Sequence, residues 1–141
     1  MNILFVCTGN TCRSPMAKVI AKKILPGHNI TSAGVAAWSQ SPASNHAVEA
    51  VKEMGLDLSG HLSNQLQSEN LDEYDIILTM TKAHRQIICD MNIKAADKVF
   101  TLYEYVNEEG DIEDPFGKDL EVYKKCAAQL EDLIKRLFPP G

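Results

Sequence analysis

The chain has 141 residues, 45% of them apolar and 23% charged, which suits one water-soluble domain over residues 1–141 with its own core. Nineteen acidic against fourteen basic residues leave a net charge of −5, which argues against nucleic acid as a partner. Met1-Asn2 carries no cationic leader and the first apolar run is too short to span a membrane, so the four cysteines read as free thiols of a cytoplasmic protein with no membrane partner.

Apolar, β-rich runs alternate with helical patterns along the chain. The first strand is expected at Asn2–Val6, followed by a helix from about Pro15 to Ile24. Pro26-Gly27 breaks the pattern and leads to a second strand near Asn29–Val35. A helix near Ser44–Met54 places Ala47, Val48, Val51 and Met54 at helical spacing, and Gly55 suits its C-terminus. A third strand at Asp75–Met80 precedes a helix capped by Thr81 and running through Asp90, and a fourth strand falls at about Lys98–Leu102. The last helix carries one apolar stripe, Leu120, Tyr123, Cys126, Ala127, Leu130, Leu133, Ile134 and Leu137, with Pro139-Pro140 as its stop. Such alternation predicts an α/β fold: a parallel sheet with helices on both faces and ligands beyond the carboxyl ends of its strands.

At the carboxyl end of the first strand stands Cys7-Thr8-Gly9-Asn10-Thr11-Cys12-Arg13-Ser14, followed by Pro15. A turn of this kind aims backbone N–H groups at one point, and the following helix adds its positive end. A phosphoryl dianion fits that point, and the same field is expected to lower the pKa of Cys7. Arg13 offers a planar fork of donors for two phosphate oxygens. Gly9 is read as supplying dihedrals closed to other residues, and Asn10 tolerates a left-handed conformation. Ser14 falls at the N-cap position, where its hydroxyl could also donate to the Cys7 sulfur, with Pro15 as first helical residue. Two cysteines at this spacing could also suggest a metal site, but no histidine or third cysteine lies nearby in sequence to complete a set, so neither metal nor cofactor is expected.

These residues resemble the low-molecular-weight protein tyrosine phosphatase family, whose motif is a cysteine, five residues and Arg-Ser. The resemblance runs from Met1 to about Leu137 and includes Thr31-Ser32-Ala33-Gly34, the His61 segment, Leu78-Thr79-Met80-Thr81 and Asp114-Pro115-Phe116-Gly117. It implies a four-stranded parallel sheet in the order 2-1-3-4. It also implies Cys7 as the nucleophile, residues Thr8 to Ser14 as the phosphate loop, Arg13 as the phosphate grip and Asp114 as the general acid. Ser32 and His61 match positions that hold the loop asparagine, so a network to Asn10 and Ser14 is expected. The family also implies a reversible disulfide between Cys7 and Cys12, phosphorylated proteins as substrates, and inhibition by phosphate or vanadate-like oxyanions.

Asp114 before Pro115 is restricted to extended backbone, which suits a carboxyl held at a fixed angle, although Asp-Pro is also a common turn pair. The small Thr11 and the sequence Asp114-Pro115-Phe116 resemble the protein-arginine phosphatase branch. Threonine narrows the pocket near the phosphate, disfavouring a broad phenol and admitting a slim guanidinium. The expected activity is therefore hydrolysis of protein phosphoarginine through a phosphocysteine, with phosphotyrosine as the alternative. An arsenate reductase on the same fold ranks lower, because Cys89 lacks a partner cysteine between residues 80 and 88.

Overall fold

The first strand, β1 (Asn2–Cys7), runs through the middle of the molecule with Ile3 to Val6 fully buried. Its side chains alternate, so Ile3 and Phe5 enter one apolar cluster while Leu4 and Val6 enter another. Only a strand covered on both faces can bury every residue in this way, which is why the run contains no polar side chain. The computed structural model of the chain describes residues 1–38 and 40–138.

Four strands form one parallel sheet in the order β2-β1-β3-β4, where β2 is Asn29–Gly34, β3 is Ile76–Thr79 and β4 is Val99–Thr101. Helices α1 (Arg13–Ile24), α2 (Asn45–Lys52) and α5 (Leu120–Lys135) share one cluster with Phe5, through Met16, Ala17, Ile20, Val51, Leu130 and Ile134. Helix α3 (Lys82–Met91) covers the opposite face, where Ile88 meets Leu4, Val6, Ile77 and Val99. Emptying the Phe5 position by Phe5→Ala removes a fully buried ring, a change that costs about 3–5 kcal/mol in such cores.

Several boundaries differ from the expectation. Helix α1 begins at Arg13 with Cys12 at the N-cap, so Ser14 is not the cap and Pro15 is the third helical residue. The reason lies in the site: the Ser14 hydroxyl is committed to Cys7 and Asn10 and does not cap the helix. Strand β4 ends at Thr101, because Thr101 and Glu104 form a reciprocal capping box that starts the short helix α4 (Leu102–Tyr105). Helix α5 ends at Lys135 with Arg136 as its C-cap, before Leu137; Pro139 and Pro140, the expected stop, lie outside the described residues. None of the described helices is long and apolar enough to cross a membrane.

Candidate active site

The turn between β1 and α1 opens beyond the carboxyl ends of the strands. It lines a cavity of about 380 Å³ with Cys7, Thr8, Gly9, Thr11, Cys12 and Arg13, together with Ala36, Trp38, Asp114 and Phe116. Trp38 and Phe116 are 83% and 71% exposed and form an aromatic rim.

Behind the turn the polar groups are fully matched. Asn10 is completely buried and adopts a left-handed backbone with φ 56°. Its amide donates to Ser14 Oγ at 2.8 Å and Ser32 Oγ at 3.0 Å, and its Oδ1 accepts from the Asn64 amide at 2.8 Å. His61 Nε2 lies 2.7 Å from the Asn10 carbonyl, and Lys18 Nζ lies 2.8 Å from His61 Nδ1. An ammonium can only donate, so Nδ1 accepts and Nε2–H donates to Asn10. Burial pushes His61 below its ordinary pKa, with Lys18 acting in the same direction. The expected set of Asn10, Ser14, Ser32 and His61 is thus brought together, with Lys18 and Asn64 added.

Gly9 differs from the expectation: it is not the left-handed residue of the turn, and a Cβ there would stand an ordinary 3.7 Å from Thr11 Oγ1. Asn10 takes that conformation, because its side chain is anchored from three sides. The glycine that the turn does require is Gly34 on β2, opposite Cys7 in the sheet. A Cβ on Gly34 would lie 2.5 Å from the Thr8 carbonyl oxygen and 3.0 Å from the Asn10 amide nitrogen.

The Cys7 sulfur is 2.9 Å from Ser14 Oγ. Ser14 already accepts from Asn10, so its proton goes to the sulfur in preference to the Ala33 carbonyl at 3.5 Å. The sequence predicts a lowered Cys7 pKa. Burial reverses the direction and raises it, while the Ser14 hydroxyl, the Ser14 amide, Arg13 and the Asn10 amide all pull down. The anion-stabilising groups are visible in the sequence, whereas the desolvation of a residue only 2% exposed arises from the fold. The N-terminal field of α1 acts in the lowering sense.

Arg13 is 4% exposed. Its Nη1 donates to the Ile112 carbonyl at 2.8 Å and its Nη2 stands 3.6 Å from Asp114 Oδ2. The other Asp114 oxygen, Oδ1, accepts from the Phe116 amide at 3.1 Å. One carboxylate oxygen of Asp114 thus closes the Asp-Pro turn while the other faces Arg13. Cys12 Sγ lies 3.4 Å from Tyr123 Oη and 3.5 Å from Ser44 Oγ, and all four cysteines are free. Burial and the Cys12 contact push the Tyr123 hydroxyl up to about 12. Among the described residues, no three His, Cys, Asp or Glu side chains converge as a metal set.

A family model for low molecular weight phosphotyrosine protein phosphatase matches residues 2–139. The chain belongs to the low-molecular-weight protein tyrosine phosphatase family. The protein-arginine-phosphatase of Bacillus subtilis is 45% identical, with 97% of this chain and 94% of that protein covered. The low molecular weight protein-tyrosine-phosphatase PtpB of Staphylococcus aureus is 42% identical over 97% of this chain and 96% of its own. Among solved structures, the YwlE arginine phosphatase with a cysteine-to-serine substitution and a phosphorylated active-site serine superposes with a TM-score of 0.94. It is 44% identical, covering 97% of this chain and 93% of that one.

Within this low-molecular-weight phosphatase, sequence reasoning overlooked the partners that come from distant segments. The Ile112 carbonyl, the Asn64 amide and Tyr123 Oη reach the loop across long stretches of chain. Two of these three are backbone groups and leave no trace in residue identity. His84 is a further omission: its ring lies 2.8 Å from Thr8 Oγ1. Its position three residues after the predicted cap Thr81, next to the cavity-facing strand end, was the available signal.

Proposed function

We propose that this protein hydrolyses phosphoarginine in phosphorylated proteins through a phosphocysteine intermediate on Cys7. The observation that carries the reading is the convergence of Cys7, Arg13 and Asp114 on one cavity, with Ser14 2.9 Å from the sulfur. Cys7 loses its proton to solvent and attacks as the thiolate, which the Ser14 hydroxyl and amide, Arg13 and the Asn10 amide favour against the opposing burial. The S–P bond forms as the bond to the departing guanidine nitrogen breaks. Loop residues Thr8 to Ser14 surround the phosphoryl oxygens, and Arg13 holds two of them as charge shifts onto them. Competition from those oxygens for Arg13 frees Asp114, whose carboxylate takes up a proton from solvent and, as the acid, passes it to the leaving nitrogen. The resulting carboxylate then takes a proton from the water that attacks phosphocysteine, and inorganic phosphate leaves.

Thr11 beside the cavity favours the slim guanidinium. The similarity to relatives named protein-arginine-phosphatase points the same way. The second reading, a phosphotyrosine phosphatase, draws support from the relative named protein-tyrosine-phosphatase and from the aromatic rim of Trp38 and Phe116, which would flank a phenol ring. Phosphate and vanadate-like oxyanions act as inhibitors in either reading, and the cytoplasm is the assigned compartment. Under oxidation Cys12 pairs with Cys7, for which its thiol has to leave Tyr123 and Ser44.

Turnover of matched phosphoarginine and phosphotyrosine peptides tests the assignment. A kcat/KM ratio of about tenfold or more for phosphoarginine is expected, with Thr11→Ile moving it towards phosphotyrosine. A tyrosine preference in the unaltered protein overturns the substrate and leaves the mechanism standing.

A further inference from the structure

His84, on the first turn of α3, is 5% exposed and its ring is held from both sides. Nε2 lies 2.8 Å from Thr8 Oγ1, and Nδ1 lies 3.0 Å from Thr81 Oγ1. The Thr81 contact favours one placement of the ring proton. Its oxygen already accepts from the His84 backbone N–H at 3.2 Å as the cap of α3, and among the described residues Nδ1 is the acceptor within reach of its hydroxyl. The tautomer that gives the Thr81 hydroxyl its acceptor has Nδ1 accepting and Nε2–H donating to Thr8 Oγ1.

Thr8 is thereby converted from a two-way group into a donor. Its oxygen receives the His84 proton, so its own hydrogen must point elsewhere, and Thr8 is an exposed wall residue of the cavity that holds Cys7, Arg13 and Asp114. The imidazole is suited to a fixed role. Burial first, and Arg13 second, push His84 down to about 4, against the opposite pull of Asp114 and Asp111. It stays neutral near pH 7 and transfers no proton itself.

We propose that His84 is a positioning residue for phosphoryl transfer: its Nε2–H orients the Thr8 hydroxyl as a hydrogen-bond donor to an oxygen of the phosphoryl group attacked by Cys7. The proposal rests on the phosphatase reading above. An unrestrained threonine hydroxyl rotates and is aimed at the ligand only part of the time. One whose oxygen is occupied by a buried N–H is aimed before the substrate arrives, and a preorganised donor is worth more where negative charge develops.

Kinetics on p-nitrophenyl phosphate, inhibition by orthovanadate and thermal unfolding decide it, using His84→Phe, His84→Gln, Thr8→Val and the double variant Thr8→Val/His84→Phe. His84→Phe and Thr8→Val are each expected to lower kcat/KM and vanadate affinity by about 10- to 100-fold. The double variant should be no worse than Thr8→Val, because one residue acts through the other. His84→Gln, whose amide can present an N–H near the Nε2 position, should stay within about threefold of the unaltered protein. A His84→Phe variant within about twofold of the unaltered protein, or a double variant whose loss is the product of the two singles, overturns the proposal. Should His84→Phe fail to fold, His84→Asn replaces it, since its amide can reach Thr81 but not Thr8. Equal activity of the Asn and Gln variants then overturns the proposal, and loss confined to Asn supports it. Hydrolysis by the unaltered protein and its abolition in Cys7→Ser report separately on the phosphatase reading.

Discussion

The turn from Cys7 to Arg13 and the segment carrying Asp114 face one another across the cavity, yet they are held in opposite ways. Asn10 is completely buried and every polar atom of its side chain is matched, through Ser14, Ser32 and the Asn64 amide. Asp114 has a side chain 51% exposed, with Arg13 and its own turn as partners. Its segment is pinned on either side of it, at Ile112, which is fully buried and bonds the Met80 carbonyl through its amide, and at the buried Pro115. The cradle is rigid because breaking any one of its bonds strands a buried polar group. The acid sits on a short span between two anchors, where small adjustments cost little. Such a division suits chemistry in which the phosphoryl group is constant and the leaving atom varies.

Substitutions on the two sides should separate accordingly. The largest effect belongs to the sulfur: Cys7→Ser should cut turnover by about 10,000-fold or more while phosphate still protects the fold in thermal melts. Next comes the acid arm. Asp114→Asn should lower kcat by about 100- to 10,000-fold, yet shift stability by less than about 0.5 kcal/mol in denaturant titrations. On the cradle side the pattern inverts. Asn10→Ala should destabilise the protein by about 2–4 kcal/mol, and its activity should fall through loss of phosphate and vanadate affinity. If Asn10→Ala leaves stability untouched, the cradle is not held by this network.

A smaller and sharper probe is Ser14→Ala. Its hydroxyl lowers the Cys7 pKa against burial, so removing it should move the pH midpoint of iodoacetamide alkylation upward and slow the reaction at neutral pH. The mildest expectation concerns acid. His84 is held down to about 4 and His61 is also lowered. Below about pH 6.5 the unfolded chain takes up protons that the folded chain refuses, so stability present at neutral pH is lost towards pH 4. Melting temperatures at pH 7 and pH 5 should fall in that order, and His84→Gln should flatten the slope.

The sequence made the sheet and the nucleophile legible for plain physical reasons. A fully buried strand leaves an uninterrupted apolar run, Ile3 to Val6, and a phosphate turn leaves residues with few substitutes, Cys7, Asn10 and Arg13. The sheet order came from the resemblance, because local periodicity carries no neighbour information. Thr101-x-x-Glu104 did carry a capping signal, and its reading would have ended β4 on time. The upward pull on Cys7 was invisible, since desolvation depends on atoms that fold over the site from elsewhere. His84 was hidden in the same way: its value lies in reaching Thr8, 76 positions away along the chain.

The phosphate turn and two of the groups that support it lie far apart along the chain. Tyr123, on the last helix, meets Cys12, and Ile112 supplies the carbonyl that steadies Arg13. A ribosome therefore delivers the reactive sulfur more than a hundred residues before the parts that finish its surroundings. During that interval the emerging chain carries a thiol whose site still lacks the Arg13 and Cys12 partners, and the site is complete only once Tyr123 has been made.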